Sequence, residues 1–159
     1  MEQPLWAPWR MEFIESPKQA GCIFCRFPSE NRDRENFIVA RSTHAFAILN
    51  RFPYTSGHVM VVPNVHGGDM SAVAPEVFAD WMDLLRRADG AIRNAYQPQG
   101  MNIGMNLGQV AGAGVLDHLH WHLVPRWAGD NNFMPVIGDT RVVIEQLERT
   151  WERLSGAMQ

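Results

Sequence analysis

Three histidines stand at alternate positions, His118, His120 and His122, within the run Asp117-His118-Leu119-His120-Trp121-His122-Leu123-Val124-Pro125-Arg126-Trp127. Alternate side chains of a β-strand share a face, so the imidazoles project one way and Leu119, Trp121 and Leu123 the other. An apolar back anchors such a strand in a core. The front is then a row of imidazoles that can ligate a metal, supply a nucleophile and its proton donor, or divide those tasks. An accidental row of surface histidines is the plain alternative, and the apolar back argues against it. One ion cannot take all three: same-face neighbours stand roughly 6 to 7 Å apart, against a zinc–nitrogen bond of about 2.0 to 2.1 Å.

The two cysteines sit together in Gly21-Cys22-Ile23-Phe24-Cys25. In a reducing compartment a C-x-x-C pair is half of a metal site or a redox pair. Redox pairs open a helix in a βαβ context, which the surrounding sequence lacks. For the metal reading, histidines elsewhere must complete the set.

The elements that position these groups follow from pattern. Residues 1–36 carry Trp6, Trp9, Phe13, Phe24 and Phe27, are interrupted by Pro4, Pro8, Pro17 and Pro28, and show no period. They have apolar groups to bury, so they are expected to wrap the domain. Runs 37–40, 45–50 and 58–63 are β-prone and joined by turns. From Pro75 to Tyr96, apolar residues recur at three- and four-residue steps, which predicts a long helix opened by Pro75 and stopped by Pro98 and Gly100. Residues 100–108 read as a strand of small residues, and 109–114 (Gln-Val-Ala-Gly-Ala-Gly) as a glycine-rich loop feeding the histidine strand. A second helix is expected from about Asp139, as N-cap, to Leu154, with Val142, Val143, Leu147, Thr150, Trp151 and Leu154 inward. Five strands with one helix inserted and one appended make an α+β fold around a mostly antiparallel sheet. At 159 residues the chain fits a single domain, 1–159, with a sizeable core.

A net charge of −3, from 14 basic and 17 acidic residues, argues against a general nucleic-acid surface, so a phosphate-bearing partner is expected to be small. The first residues lack a signal-peptide pattern and no apolar run approaches a membrane span, so the expected setting is cytoplasmic, with no membrane partner.

The run His118-Leu-His120-Trp-His122-Leu-Val resembles the signature of the histidine-triad (HIT) nucleotide-binding superfamily. Its extension Pro125-Arg126-Trp127-Ala128-Gly129-Asp130, together with 46–53 and Gly57-His58-Val59-Met60-Val61-Val62-Pro63, is similar to the fragile-histidine-triad branch, which cleaves dinucleoside polyphosphates. Leu5-Trp6-Ala7-Pro8-Trp9-Arg10-Met11 and Asn102-Ile-Gly-Met-Asn106-Leu-Gly108 resemble bacterial members, some of them diadenosine tetraphosphate phosphorylases.

The resemblance implies a five-stranded HIT fold that dimerises across a two-fold axis, and cleavage of an AMP-containing nucleotide at its α-phosphate. His120 would be the nucleophile, forming a nucleotidyl-histidine, and His122 would contact phosphate and help protonate the leaving group. Backbone N–H groups of Gly112, Ala113 and Gly114 would meet developing charge. Asn50 maps onto a ribose-binding position, although a turn asparagine before Pro53 would look the same. Asn106 maps near the α-phosphate, and His58 near the site, where a supporting role suits it best. The nucleoside wall would be apolar, from Phe37, Phe46 and Ile48. Zinc-bearing members, including galactose-1-phosphate uridylyltransferases, join a C-x-x-C to two histidines, here Cys22, Cys25, His66 and His118. Two thiolates with two imidazoles make a closed, structural zinc site, with His44 competing for one place. Gly114 departs from both branches, which carry serine or glutamine there, so the acceptor, water or phosphate, stays open. The rival readings are an adenosine 5′-phosphoramidate hydrolase using the same intermediate, and a non-catalytic nucleotide-binding module with structural zinc.

Overall fold

A computed structural model describes residues 21–130 and 145–158. Its frame is one five-stranded antiparallel sheet of β1 (Ile38–Arg41), β2 (Ala45–Leu49), β3 (Val59–Pro63), β4 (Gly100–Gly104) and β5 (Trp121–Arg126), in the order β1-β2-β3-β5-β4. The helices are α1 (Ile23–Ser29), α2 (Asp33–Asn36), α3 (Pro75–Tyr96) and α4 (Leu147–Ala157). The expected α+β class and antiparallel sheet are therefore present.

Strand alternation sends two sets of side chains to opposite faces. One face, with Ala45, Ala47, Leu49, Val59, Val61, Leu119 and Leu123, packs against Trp81, Leu84, Ala88, Ala91 and Ile92 of α3. Alanines on that helix let it approach closely, and the indole N–H of Trp81 donates to the Val61 carbonyl at 2.9 Å. Pro75 opens α3, and Gln97 ends it in the left-handed conformation. The other face carries Ile38, Phe46, Ile48, Met60 and Val62 beneath Phe24 and Phe27 of α1. Phe46 and Ile48 therefore fill a core instead of lining a nucleoside wall, and Phe37 packs with the α3 cluster.

Three boundaries differ from the sequence reading. Residues 23–29, where the sequence shows no period, form a helix, because Phe24 and Phe27, three apart, make one buried side. Of the appended helix, the expected N-cap Asp139 and the residues to 144 lie outside the described residues; within them Gln146 is extended and helix covers Leu147–Ala157. Glu145 is anchored there by the hydroxyls of Tyr96 and Thr150 and by Arg153. β5 starts at Trp121, after the first two triad histidines.

Gly57, at φ +81°, turns the chain into β3, and a Cβ there would lie 3.1 Å from the Tyr96 ring. Gly57→Ala meets both a strained backbone and a ring wall, so a loss of about 1 to 3 kcal/mol is expected. Thermal unfolding checks this, and an unchanged midpoint would refute it.

Candidate active site and metal centre

The histidine strand β5 lies between β3 and the edge strand β4, and its histidines share the sheet face on which α1 packs. His120 is buried, 3 % exposed, with Phe24 packed on its ring at 5.1 Å. Its Nδ1 lies 2.8 Å from the backbone carbonyl of His118, a pure acceptor, so Nδ1 carries the proton and donates. Nε2 then holds the lone pair. Burial lowers the His120 pKa below its ordinary value of 6.5, against a smaller opposing effect of the His118 carbonyl. The ring is thus a neutral imidazole of defined tautomer.

A second chain of bonds sets His122. The backbone N–H of Tyr54 donates to Nδ1 of His58 at 3.2 Å, with the Asn50 amide nitrogen 3.5 Å away. Nδ1 of His58 is therefore the acceptor, and its Nε2–H donates to Nδ1 of His122 at 3.0 Å. That assigns the His122 proton to Nε2. The ring of Tyr54 stacks on His58 at 4.9 Å. His58 is the supporting histidine the sequence suggests. Asn50 also accepts from the Phe52 N–H at 2.9 Å through Oδ1, the bond of a turn asparagine.

His122 opens into a cleft of about 520 Å³ lined by Tyr54, Asn102, Gly104, Asn106 and Arg126, among others. Asn106, half-buried, donates to the Gly112 carbonyl at 3.4 Å and so tethers the glycine loop beside the cleft. Within that loop the Gly112 N–H bonds the Gln109 carbonyl at 2.9 Å, and the Ala113 N–H reaches the Gly108 carbonyl at 3.3 Å. Gly114 is exposed in the same segment.

Behind His120, four expected ligands converge: Cys22, Cys25, His66 and His118 have donor atoms all within 4.8 Å of one another. His118 donates through Nε2 to the Pro63 carbonyl at 2.7 Å, so its Nδ1 is unprotonated. That Nδ1 lies 3.3 Å from Cys22 Sγ, 3.6 Å from Cys25 Sγ and 3.4 Å from His66 Nδ1, and Cys25 Sγ is 3.4 Å from His66 Nδ1. A tetrahedron with zinc–sulfur bonds of about 2.3 Å and zinc–nitrogen bonds of about 2.0 to 2.1 Å has edges of roughly 3.3 to 3.8 Å. These four residues fit such an ion. His44 is outside the cluster: its N–H donates to Asp80 and its carbonyl accepts from Asn64. His66 reaches the site because Leu119 N–H bonds the Gly67 carbonyl at 2.9 Å and Gly68 passes so close to Leu116 that a Cβ would meet its carbonyl at 2.9 Å.

One group went unremarked in the sequence. Arg126 is gripped by both carboxylate oxygens of Asp130 and donates to Asn102 at 2.8 Å, at the far end of the cleft. Its position an even number of residues after His122 is the signal that could have marked it.

A family model described as HIT domain matches residues 31–129. The chain belongs to this family. It is 38% identical over 160 residues to an AP-4-A phosphorylase of Mycobacterium tuberculosis, which covers 96% of this chain and 82% of the relative. It is 28% identical over 107 residues to an adenosine 5'-monophosphoramidase of Saccharomyces cerevisiae, covering 67% of this chain and 63% of the relative. Among solved structures, a zinc-bound histidine triad family protein from Mycobacterium smegmatis superposes with a TM-score of 0.69 at 26% identity, over 87% of this chain and 93% of that one. A histidine triad nucleotide-binding protein from Sulfolobus tokodaii gives 0.68 at 26% identity, over 86% and 91%.

The lowered His120 pKa has a sign that activity and stability both read. In the nucleophile's role that the resemblance implies for it, a neutral His120 would survive acidification until pH passes its depressed pKa, so the acid limb of kcat/KM is expected below pH 6.5. The unfolded chain takes up this proton near pH 6.5 and the folded one resists it, so stability falls as pH drops below that value. A pH–rate profile whose acid limb lies above 6.5 would contradict the assignment of His120 as the neutral nucleophile.

Proposed function

We propose that this chain cleaves dinucleoside polyphosphates, of the diadenosine tetraphosphate kind, at an α-phosphate through a covalent nucleotidyl-His120. The observation that carries it is the 2.8 Å bond from Nδ1 of His120 to the His118 carbonyl, which leaves the Nε2 lone pair as the reacting group. The coarser class rests on family membership: the chain is a nucleotide-processing enzyme, and its named relatives are an AP-4-A phosphorylase and an adenosine 5'-monophosphoramidase.

In the first step Nε2 attacks the α-phosphorus, forming an N–P bond, while the P–O bond to the leaving polyphosphate breaks. The leaving oxygen keeps the electron pair and takes a proton from His122 when the His58–His122 pair holds one beyond its neutral complement. Water or inorganic phosphate then attacks the same phosphorus, its proton returns to the pair, and the N–P electrons return to Nε2. Splitting one displacement into two is the gain of covalent catalysis. Asn106 and the N–H groups of Ala113 and Gly114 would meet the phosphoryl oxygens, with Gly112, whose N–H is held by the Gln109 carbonyl, shaping the loop around them, and Asn50 would meet the ribose. Zinc bound by Cys22, Cys25, His66 and His118 would serve structure: a closed four-ligand set leaves no position for substrate.

A substrate panel run with and without inorganic phosphate, with products identified, tests this reading and names the acceptor. Turnover of adenosine 5'-phosphoramidate alone would overturn the dinucleotide reading. AMP binding with no turnover would overturn both.

We also assign a single domain over 1–159 and a homodimer joined along β4, an edge strand whose residues Asn102 to Gly104 are exposed and which carries Ile103 at 44% exposure. Sedimentation equilibrium is expected to report twice the chain mass at micromolar concentration, and a monomer mass throughout would refute the dimer.

A further inference from the structure

We infer that Arg126, held by Asp130 and Asn102, is a distal phosphate contact that selects substrates with a long polyphosphate arm over those with a small leaving group. The inference rests on the proposed chemistry at His120 and extends it along the cleft.

His122, Val124 and Arg126 share one face of β5, and their partners on β4 are Gly104, Asn102 and Gly100. The cleft therefore has a floor of known order, from His122 at the reacting end to Arg126 at the other. Four residues at roughly 3.4 Å each put their Cα atoms roughly 14 Å apart. The arginine does not stand straight off that floor. Asn102 faces Val124, two residues nearer the reacting end, and Nη1 of Arg126 donates to the Asn102 side chain at 2.8 Å. The guanidinium leans back toward His122.

The floor is open at its reacting end. Gly104 lies opposite His122, and a Cβ added there would meet nothing within 4 Å. Among the described residues that line the cleft, Arg126 is the only one with a permanent positive charge, and Asp130, its carboxylate partner, lines the cleft beside it. Asp130 takes Nε–H and one Nη2–H, and Asn102 one Nη1–H, so two of the five guanidinium N–H groups are not used in these contacts. A fork clamped on one edge loses little conformational entropy when its other edge meets a phosphate, and fork geometry suits phosphate oxygens.

The chemistry of the candidate leaving groups decides what would reach it. An amine released from a phosphoramidate ends within a bond or two of the phosphorus and stays at His122. A polyphosphate carrying a second nucleoside must run outward, and the cleft offers it one cation at the right remove.

The test titrates AMP and a diadenosine tetraphosphate analogue carrying methylene groups in place of both α,β-bridging oxygens, so that the bond broken in the proposed reaction is absent, into the wild-type protein, Arg126→Gln and Arg126→Lys. The wild type is expected to bind the dinucleotide analogue at least about tenfold more tightly than AMP. Arg126→Gln should erase that preference, and Arg126→Lys, which keeps charge without the fork, should restore part of it. In turnover, the ratio of kcat/KM for diadenosine tetraphosphate to that for adenosine 5'-phosphoramidate should fall about tenfold in Arg126→Gln, through KM. An unchanged preference in Arg126→Gln, or equal weakening of AMP and the analogue, would overturn the inference. If the wild type cleaves neither substrate, the proposed function fails, while the titration still decides whether Arg126 reads the longer phosphate arm.

Discussion

Alanine at position 120 is expected to lower dinucleotide cleavage by on the order of 10³-fold or more, with the fold retained. The size follows from what is removed. In the proposed reaction His120 supplies the atom that bonds to phosphorus, and neither neighbour offers a substitute: Nδ1 of His122 is engaged by His58, and Nδ1 of His118 faces the thiols. What remains after substitution is substrate binding and orientation by the cleft. Rapid mixing with substrate, acid quench and peptide mass spectrometry should find the nucleotidyl group on the peptide containing His120 in the wild type and none in His120→Ala. Because the ring is buried against Phe24, the variant also loses packing. Circular dichroism and AMP titration separate that loss from loss of the nucleophile. Turnover at the parent rate in a folded His120→Ala protein would end the enzymatic account.

The second large effect belongs to the four-ligand centre. Replacing Cys22 and Cys25 by serine removes both thiolates, and is expected to release the metal and lower stability by several kcal/mol. Structural zinc contributes about 10 to 16 kcal/mol to small peptide folds, and a domain with its own core retains part of its stability without it. For a chain of this size each kcal/mol moves the unfolding midpoint by roughly 2 to 4 °C, so a fall of about 10 °C or more is expected. Activity should fall too, because the His118 carbonyl that orients His120 belongs to one of the four candidate ligands. His66→Ala probes the same centre without touching α1. Metal analysis, thermal unfolding and turnover should move together in both variants, and unchanged metal content in the double serine variant would refute the assignment.

The site was legible in the sequence wherever local rules govern it. Alternation placed His120 and His122 on the face opposite Leu123, and the structure keeps them there. The three- and four-residue spacing from Pro75 to Tyr96 marked α3 to the residue, since a long amphipathic stripe with a proline at its start has one stable solution. The α1 segment escaped because seven residues with an internal Pro28 carry too little period to read, and burial of Phe24 and Phe27 stabilises it. The apolar wall of Phe46 and Ile48 was misplaced for the same cause. Their sequence says they are buried, and only the docking of Phe24 says by what.

Residue types and their periods thus dictated which groups this protein can use: a trio of imidazoles with an oily back, a thiol pair, a glycine loop. Where those groups meet was decided in three dimensions. Cys22 and His118 are 96 positions apart yet 3.3 Å in space, and the tautomer of His122 follows from the ring of His58, 64 positions earlier, which the Tyr54 N–H sets in turn. Side-chain alternation is a property of one strand. Convergence of donors depends on strand order and register, which long-range packing sets.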